Sequence, residues 1–433
     1  MFRSLTALNY RIWFAGALVS NVGTWMQRTA QDWIVLTQLT HNDALAVGIV
    51  MALQFGPQLV LLPITGYAAD RLDRRKLLMA TQAGMGILGL GLGILTISGT
   101  VQLWQVYIFA LLLGIVAAFD APARQTFVGD LVGPKLLGNA VALNSASFNA
   151  ARLIGPAVAG LLTAAVGAGW VFLINAVSFV AVLISLNFMR RAQLHTEKRA
   201  SRSRGSLVEG FRYVRGRPDL LAIFAMVFLI GTFGLNFPIF VASMASTVFH
   251  KGAGEYGILS SVMAVGSVVG ALLAARREKP RGSLLAVAAV IFGIGCIAAA
   301  AAPGYWFFGA MLAIVGVASQ TFNTTANGVV QLSTDPLLRG RVMAIYMAIF
   351  MGGTPIGAPI VGWVADAFGP RWALVVGGAS GIAAAVIGIY YMVHFRGMRF
   401  AIAERRVRVT FAVPTRGITL PEVQGDGAAA QKA

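Results

Sequence analysis

Charge is what this sequence has least of. Asp, Glu, Lys and Arg make up 12% of its 433 residues, about half the share usual in soluble proteins. A water-exposed surface of that extent needs far more charge, so a soluble fold is excluded. Carboxylates are the scarcer sign, with 16 Asp and Glu against 34 Lys and Arg. Cysteine is nearly absent, and Cys296 alone excludes an intramolecular disulfide and any Cys-based metal cluster. The four histidines (His41, His195, His250, His394) fall at segment ends or in loops. No His/Asp/Ser or metal-ligand constellation gathers at one depth, which argues against an enzyme. The sequence calls for no metal and no cofactor.

Apolar residues are what is plentiful. They make up 57% of the chain. Its 50 glycines suit transmembrane helices better than soluble ones. Stretches of about 20 apolar residues, enough to cross ~30 Å of hydrocarbon, recur near 12–37, 44–68, 77–98, 103–126, 139–165 and 169–189. Six more follow near 219–246, 255–275, 283–302, 305–328, 340–365 and 371–394. Arg3 and Arg11 precede an apolar segment too long for a signal-peptide core, and no small-residue cleavage site follows. The end of the tail, GDGAAAQKA, has a composition that predicts disorder.

A net charge of +18 in a soluble protein would suggest nucleic acid. Its placement says otherwise. With the N-terminus inside, 29 of the basic residues fall in inner segments and only Lys251 and Arg371 in outer loops. The positive-inside rule then predicts both termini cytoplasmic, with no nucleic-acid partner. Trp33, Trp104, Trp170, Trp306 and Trp372 are expected at the outer span ends, as an interfacial belt.

The chain repeats itself at an offset of 202. Arg74-Arg75 falls on Arg276-Arg277, Pro134 on Pro336, Gly138 on Gly340, Ala142 on Ala344, Gly160 on Gly362, Gly167 on Gly369 and Trp170 on Trp372. Two six-span halves joined by a basic linker is the arrangement of parallel-repeat carriers that rock about a central site. A duplicated bundle without transport is the plainer alternative. The expected fold is an all-α integral membrane protein, with twelve transmembrane helices as two six-helix pseudo-symmetric bundles. The first bundle is 1–189, the basic linker 190–217, the second bundle 218–395 and the tail 396–433.

The loop after span 2 reads Gly66-Tyr-Ala-Ala-Asp70-Arg71-Leu-Asp73-Arg74-Arg75-Lys76. It resembles the G-x-x-x-D-R-x-x-R-R-K signature of the major facilitator superfamily, and a degraded copy, Gly270 to Arg277, follows span 8. The stretch from Asp120 to Gly160 resembles the enterobactin-exporter and macrolide-efflux branch, drug:proton antiporters of the bacterial cytoplasmic membrane. The resemblance covers roughly residues 1–395. It implies a major facilitator fold in which Asp70 meets the start of span 11 near Gly340–Arg341 and locks a cytoplasmic gate. Gly66, Arg71, Arg74 and Arg75 belong to that gate, with Asp130 as partner for Arg74. On residue chemistry alone, the basics could be topological anchors.

Span 5 carries Gly155-Pro156-Ala-Val-Ala-Gly160 and span 11 carries Gly357-Ala-Pro359-Ile-Val-Gly362. Proline removes a backbone donor and invites a bend, and small residues let helices approach closely. The pair is expected to form hinges and resembles the motif of the superfamily's exporters, although the usual G-P-x-x-G-G reads here G-P-x-x-x-G. Generic helix packing is the alternative.

Ionisable groups within spans are costly and therefore informative. Arg28 and Asp32 in span 1, and Asp120 and Arg124 in span 4, are spaced i,i+4 and are expected to pair. Asp32, with Asp120 second, is the candidate for proton coupling through a movable arginine. Structural bridges are the alternative. Arg152, near midplane in span 5, is expected to hold an anionic substrate group or to act as that movable counter-charge. Asn21, Gln31, Asn149, Asn236, Gln320, Asn323 and Asn327 are candidate cavity polar groups, with Phe233, Phe237 and Met347 as apolar walls. Phe109 stands near where many proton antiporters carry an arginine in span 4, a departure from that pattern.

The expected function is secondary export of amphipathic organic compounds, drugs or siderophore-like metabolites, by alternating access in exchange for protons. The expected partners are a small organic substrate, protons and the bilayer, and the carrier is expected to be a monomer. Import or uniport of a small metabolite is a second reading. A lipid-handling or regulatory membrane protein without solute transport is a third.

Overall fold

The computed structural model describes residues 3–190, 193–195, 207–275, 282–396, 398–403 and 406–411. For Pro63, Ala69, Asp70, Pro134, Leu207, Ala275, Arg396 and residues 398–411, only the backbone is described. Arg276 and Arg277, much of the expected linker and the end of the tail lie outside the described residues.

The first half comprises α1 (Leu8–Ile34), α2 (Ala44–Val60), α3 (Leu62–Arg71), α4 (Arg74–Ile97), α5 (Leu103–Leu131), α6 (Pro134–Val166) and α7 (Ala168–Phe188). A short helix α8 (Leu207–Arg215) leads into the second half. That half holds α9 (Pro218–Leu229), α10 (Phe237–Ser243), α11 (Ala253–Ala275), α12 (Gly282–Ala300), α13 (Tyr305–Ser333), α14 (Arg339–Phe368) and α15 (Pro370–Arg396). Among the described residues, ten spans are long and apolar enough to cross a membrane, counting Pro218–Val248 as one. The other two positions are filled by α1, which carries Arg11, Arg28 and Asp32, and by α2 continued by α3. Apart from a short hairpin beyond span 12, the described chain is helical, and the protein is a multi-pass membrane protein.

Local chemistry sets the helix ends. Asp43 caps α2 by accepting the Ala46 N–H at 2.9 Å, and Asp73 caps α4 by accepting that of Lys76 at 3.0 Å. Gly167 and Gly369, partners in the 202-residue repeat, turn the chain at φ +91° and +96° between spans 5 and 6 and spans 11 and 12. Side chains with a Cβ rarely adopt that backbone. The repeat in sequence is thus a repeat of turn geometry.

Much of each span faces outward: Ile87, Val177, Phe188 and Trp306 are exposed by 68%, 69%, 72% and 77%. Apolar surface on that scale belongs against lipid. Trp104, Trp170 and Trp372 are also exposed. Trp33 departs from the expected belt. It is buried and stacks on Tyr256 of α11 at 5.4 Å, because its helix faces the other half there.

Two departures from the span assignment stand out. The expected single span near 219–246 is α9 and α10 joined by a π segment (Ile230–Gly234) and a break at Leu235–Asn236, with a second π segment at Met244–Val248. π turns inside helices are often associated with functional sites. Beyond span 12, the basic tail forms a hairpin of β1 (Met398–Ala403) and β2 (Arg406–Phe411), paired antiparallel from Met398↔Phe411 to Ala403↔Arg406. Its alternation of Arg406, Arg408 and Thr410 with Val407, Val409 and Phe411 is the period-2 signal of a strand.

The halves meet along two pairs of helices, α2 with α14 and α11 with α6. Candidates for close contact are the glycines. A Cβ on Gly160 would lie 2.5 Å from the Ala253 carbonyl oxygen, one on Gly48 would lie 2.5 Å from that of Ala358, and one on Gly362 would lie 2.5 Å from that of Ala44. The helices that carry the hinge motifs are continuous: α6 runs through Pro156, and α14 through Pro355 and Pro359. Gly155 packs α6 on Trp25 of α1, Gly160 packs it across the halves on α11, and Gly357 seats α14 against Thr232.

Candidate functional site

One face of α1 presents Trp25, Arg28, Thr29 and Asp32, at i, i+3, i+4 and i+7. It lines a cavity of about 200 Å³ between the halves. From α2 come Met51, Gln54 and Phe55, again on one helical face, and from α6 come Arg152 and Pro156. The second half supplies Leu235, Phe237, Pro238 and Val241 around the span-7 break, Tyr256 and Ser260 of α11, and Thr354 of α14. Thr354 is the repeat counterpart of Arg152.

Aromatic faces, not carboxylates, hold the two arginines. The Arg28 guanidinium lies 5.3 Å from the Trp25 ring and 5.1 Å from the Phe55 ring, and its Nε is buried with no hydrogen-bond partner. Arg152 lies 5.8 Å from the same Trp25 ring. Such contacts soften the cost of a buried cation without neutralising it. The expected Arg28–Asp32 ion pair is not closed; none of the ion pairs among the described residues includes either group. Gln54 adds a buried amide donor, Nε2, that has no partner.

The cavity is sealed on one side. Toward the face opposite the Arg71–Lys76 loop, Trp33 stacks on Tyr256, and the Asp366 carboxylate accepts the N–H groups of Ala44 and Leu45 at 2.7 and 2.8 Å. Ser246 hydrogen-bonds Asn42, and the Ser261 hydroxyl donates to the Leu153 carbonyl at 2.8 Å. Among the described residues, these hydrogen bonds between the halves all fall between midplane and that opposite face. On the basic face, Gly66, Gly138 and Gly340 have nothing within 4 Å of where a Cβ would stand. Among the described residues, no hydrogen bond joins the halves on that face.

Asp120 and Arg124 do pair, but apart from the cavity. Arg124 donates Nη2 and Nε to Asp120 Oδ2 at 2.8 and 3.0 Å, and Nη1 to Asn21 Oδ1 at 3.0 Å. The other carboxylate oxygen accepts from Thr81 at 2.8 Å and Gln82 at 2.7 Å. This network ties α1, α4 and α5 together and occupies Asn21.

The remaining polar candidates also lie off the cavity wall. Asn149 donates to its own helix at Ser145, and Asn236 donates to Thr232 O at 2.7 Å from inside the span-7 break. Asn327 accepts from Gln331 one turn on. Gln31 is buried on α1, while Gln320 and Asn323 are half-buried on α13. Helical spacing had placed each group on a face without saying which neighbour that face meets. Of the expected apolar walls, Phe237 lines the cavity, and Phe233 and Met347 do not.

At the basic loop, Arg74 and Asp130 form an ion pair at 2.7 Å. Arg75 donates Nε to the Leu186 carbonyl at 2.7 Å, and Arg71 stacks on Tyr67. Arg341 is engaged by Glu209 of α8 instead of the span-2 loop. The Asp70 side chain, expected near Gly340–Arg341, lies outside the described residues.

Residues 2–407 match the sequence profile of the transmembrane secretion effector family. The chain belongs to that family, within the major facilitator superfamily. This secretion effector is 28% identical over 371 residues to the staphyloferrin A transporter of Staphylococcus aureus, covering 83% of the chain and 90% of the relative. It is 28% identical over 370 residues to the multidrug efflux pump Tap of Mycolicibacterium fortuitum, covering 82% and 88%. It is 24% identical over 370 residues to the enterobactin exporter EntS of Escherichia coli K12, covering 84% and 88%. A crystal structure of a POT family transporter in complex with 5-aminolevulinic acid superimposes with a TM-score of 0.72 at 11% identity, over 89% of this chain and 96% of that one, a likeness of fold. The family and these relatives are transporters, so the secretion effector is a transporter and not an enzyme.

Sequence inspection missed Trp25, Gln54, Phe55, Tyr256 and Ser260 in the cavity of this secretion effector. A signal existed for the first two: Trp25 lies one turn before Arg28, and Gln54 interrupts an apolar run. Tyr256 follows Glu255 at a span start and looks interfacial by sequence.

Proposed function

We propose that the protein exports amphipathic organic compounds, drugs or siderophore-like metabolites, from the cytoplasm by alternating access in exchange for protons. The observation that carries this is a cavity shared by both halves, lined by aromatic rings and unpartnered polar groups and closed toward the face opposite the basic loop. The proposed setting is the bacterial cytoplasmic membrane, with the basic face and both termini cytoplasmic, as the 29-to-2 bias of basic residues suggests. The working unit is a monomer of two bundles, 1–189 and 218–395, with 190–217 as linker and 396–433 as tail.

In the exchange, Asp32 carries the proton. It lines the cavity beside Arg28 without being locked to it, so substrate or conformation can change its company and hence its protonation. Asp120, held by four hydrogen bonds, serves the bundle instead. Arg74 and Asp130, with Gly66, Asp70, Arg71, Arg75 and Arg341, form the cytoplasmic gate. The glycines of spans 5 and 11 are sliding contacts on which the halves rock.

Flux of a dye or siderophore from proteoliposomes, with and without an imposed pH gradient, tests the proposal. Gradient-accelerated outward flux supports it. Flux indifferent to the gradient removes proton exchange, and no flux of any amphipathic compound removes the transport reading.

A further inference from the structure

The cavity holds more positive charge than its own residues neutralise. Arg28 and Arg152 both face it, and Asp32 is the one carboxylate among its described lining residues. Neither arginine forms an ion pair, and the Arg28 Nε is buried without a hydrogen-bond partner. Both guanidiniums share the Trp25 ring, at 5.3 and 5.8 Å.

An unpaired cation in the membrane interior costs several kcal/mol unless wetted or matched by an anion. The ring contacts ease that cost but leave the donor groups of both arginines unused. Asp120–Arg124 shows how this fold satisfies a guanidinium when it is structural: a carboxylate and an amide close on it. Arg28 and Arg152 lack such closure in a cavity that both halves line. Phe55, Phe237 and Met51 give the wall apolar surface, Gln54 offers one further donor, and Thr29, Tyr256, Ser260 and Thr354 add hydroxyls.

We propose that Arg28 and Arg152, which share the Trp25 ring, form an anion clamp that selects substrates carrying a carboxylate or sulfonate on an aromatic or otherwise apolar body. The proposal rests on the transport reading above and gives it a substrate class. The substrate's acid group takes bidentate hydrogen bonds from the two guanidiniums, and its ring system packs on Trp25 and Phe55. An amine in the same place meets two cations and leaves them uncompensated, so cationic amphiphiles are excluded. Neutral analogues bind through the rings alone.

The test uses three ligands on one scaffold: 2-naphthylacetate, 2-naphthylacetamide and 2-naphthylethylammonium. Binding to the purified full-length protein in detergent is measured by calorimetry, and flux in proteoliposomes follows with the same compounds. The wild-type protein binds the carboxylate at least ten-fold tighter than the amide, and the ammonium more weakly than either. Arg152→Gln and Arg28→Gln each bring carboxylate and amide within about three-fold, with a melting temperature near that of the wild type as the sign that the fold is intact. Arg152→Lys restores part of the preference.

Equal or tighter binding of the amide or the ammonium by the wild-type protein overturns the clamp. So does a carboxylate preference that survives both glutamine variants. The two readings fail separately. Charge-selective binding with no flux of any compound leaves the clamp and removes the transporter assignment, whereas flux of the ammonium without flux of the carboxylate does the reverse.

Discussion

The Asp366 carboxylate accepts the backbone N–H of Ala44 at 2.7 Å, and with its second oxygen that of Leu45 at 2.8 Å. One residue near the end of span 11 thereby caps the start of span 2 in the other half. An anion at a helix N-terminus meets unsatisfied donors and the positive end of the helix dipole. Asp43 already fills the neighbouring donor, Ala46, so the first turn of α2 is fully capped only while the halves touch.

Replacing Asp366 by Ala therefore favours opening at this face. The contact is exposed, so its worth is about 0.3–1 kcal/mol, which is roughly a two- to five-fold shift in population. Spin labels at Thr100 and Lys251, one exposed residue on each half, report it by pulsed electron resonance. Cys296 is buried and stays unlabelled. An unchanged distance distribution would remove Asp366 from the closure.

Asp32 and Asp120 make opposite predictions. Asp32→Asn lowers gradient-driven efflux at least ten-fold and leaves the melting temperature near that of the wild type, because no ion pair is broken. Asp120→Asn leaves the gradient dependence in place and lowers stability by about 3 kcal/mol, the order expected when one partner of a buried, hydrogen-bonded pair is removed. Thermal unfolding in detergent and proteoliposome flux on both variants separate them. The reverse pattern would move the proton site to Asp120.

The Arg74–Asp130 pair is only partly exposed and joins α4 to the end of α5. A double-mutant cycle with Arg74→Ala and Asp130→Ala is expected to give a coupling of about 0.5–3 kcal/mol in thermal stability. The charge-swapped double variant recovers part of the lost transport. Strict additivity would show that the pair contributes nothing beyond its two residues.

Gly160→Ala tests the seam between halves. Its Cβ would stand 2.5 Å from the Ala253 carbonyl oxygen, a backbone atom that cannot swing away. Overpacking of this kind costs about 1–3 kcal/mol. Gly340→Ala, with open space around it, is expected to leave the melting temperature unchanged in the same assay. Equal tolerance at both positions would mean that the helices part here without resistance.

Sequence alone determined the membrane setting, the twelve apolar segments, the two-fold repeat and the bias of basic charge. Each follows from a property carried by single residues or short windows: apolar length against bilayer thickness, matched residues at a fixed offset, and basic residues sorted segment by segment. Helical periodicity also brought Arg28 and Asp32 onto one face. What it could not decide is which neighbour that face meets. Both i,i+4 couples look alike in sequence, yet Asp120–Arg124 closes while Arg28 turns to Trp25 and Phe55. Thr81, Gln82 and Asn21, from two other helices, complete the first network, whereas aromatic rings on α1 and α2 compete for the second guanidinium. Spacing fixes a direction about the helix axis, and only the packing of six helices against six decides what stands there. Trp33 shows the same limit: its position along the helix suits the lipid interface, but its direction sends it into Tyr256.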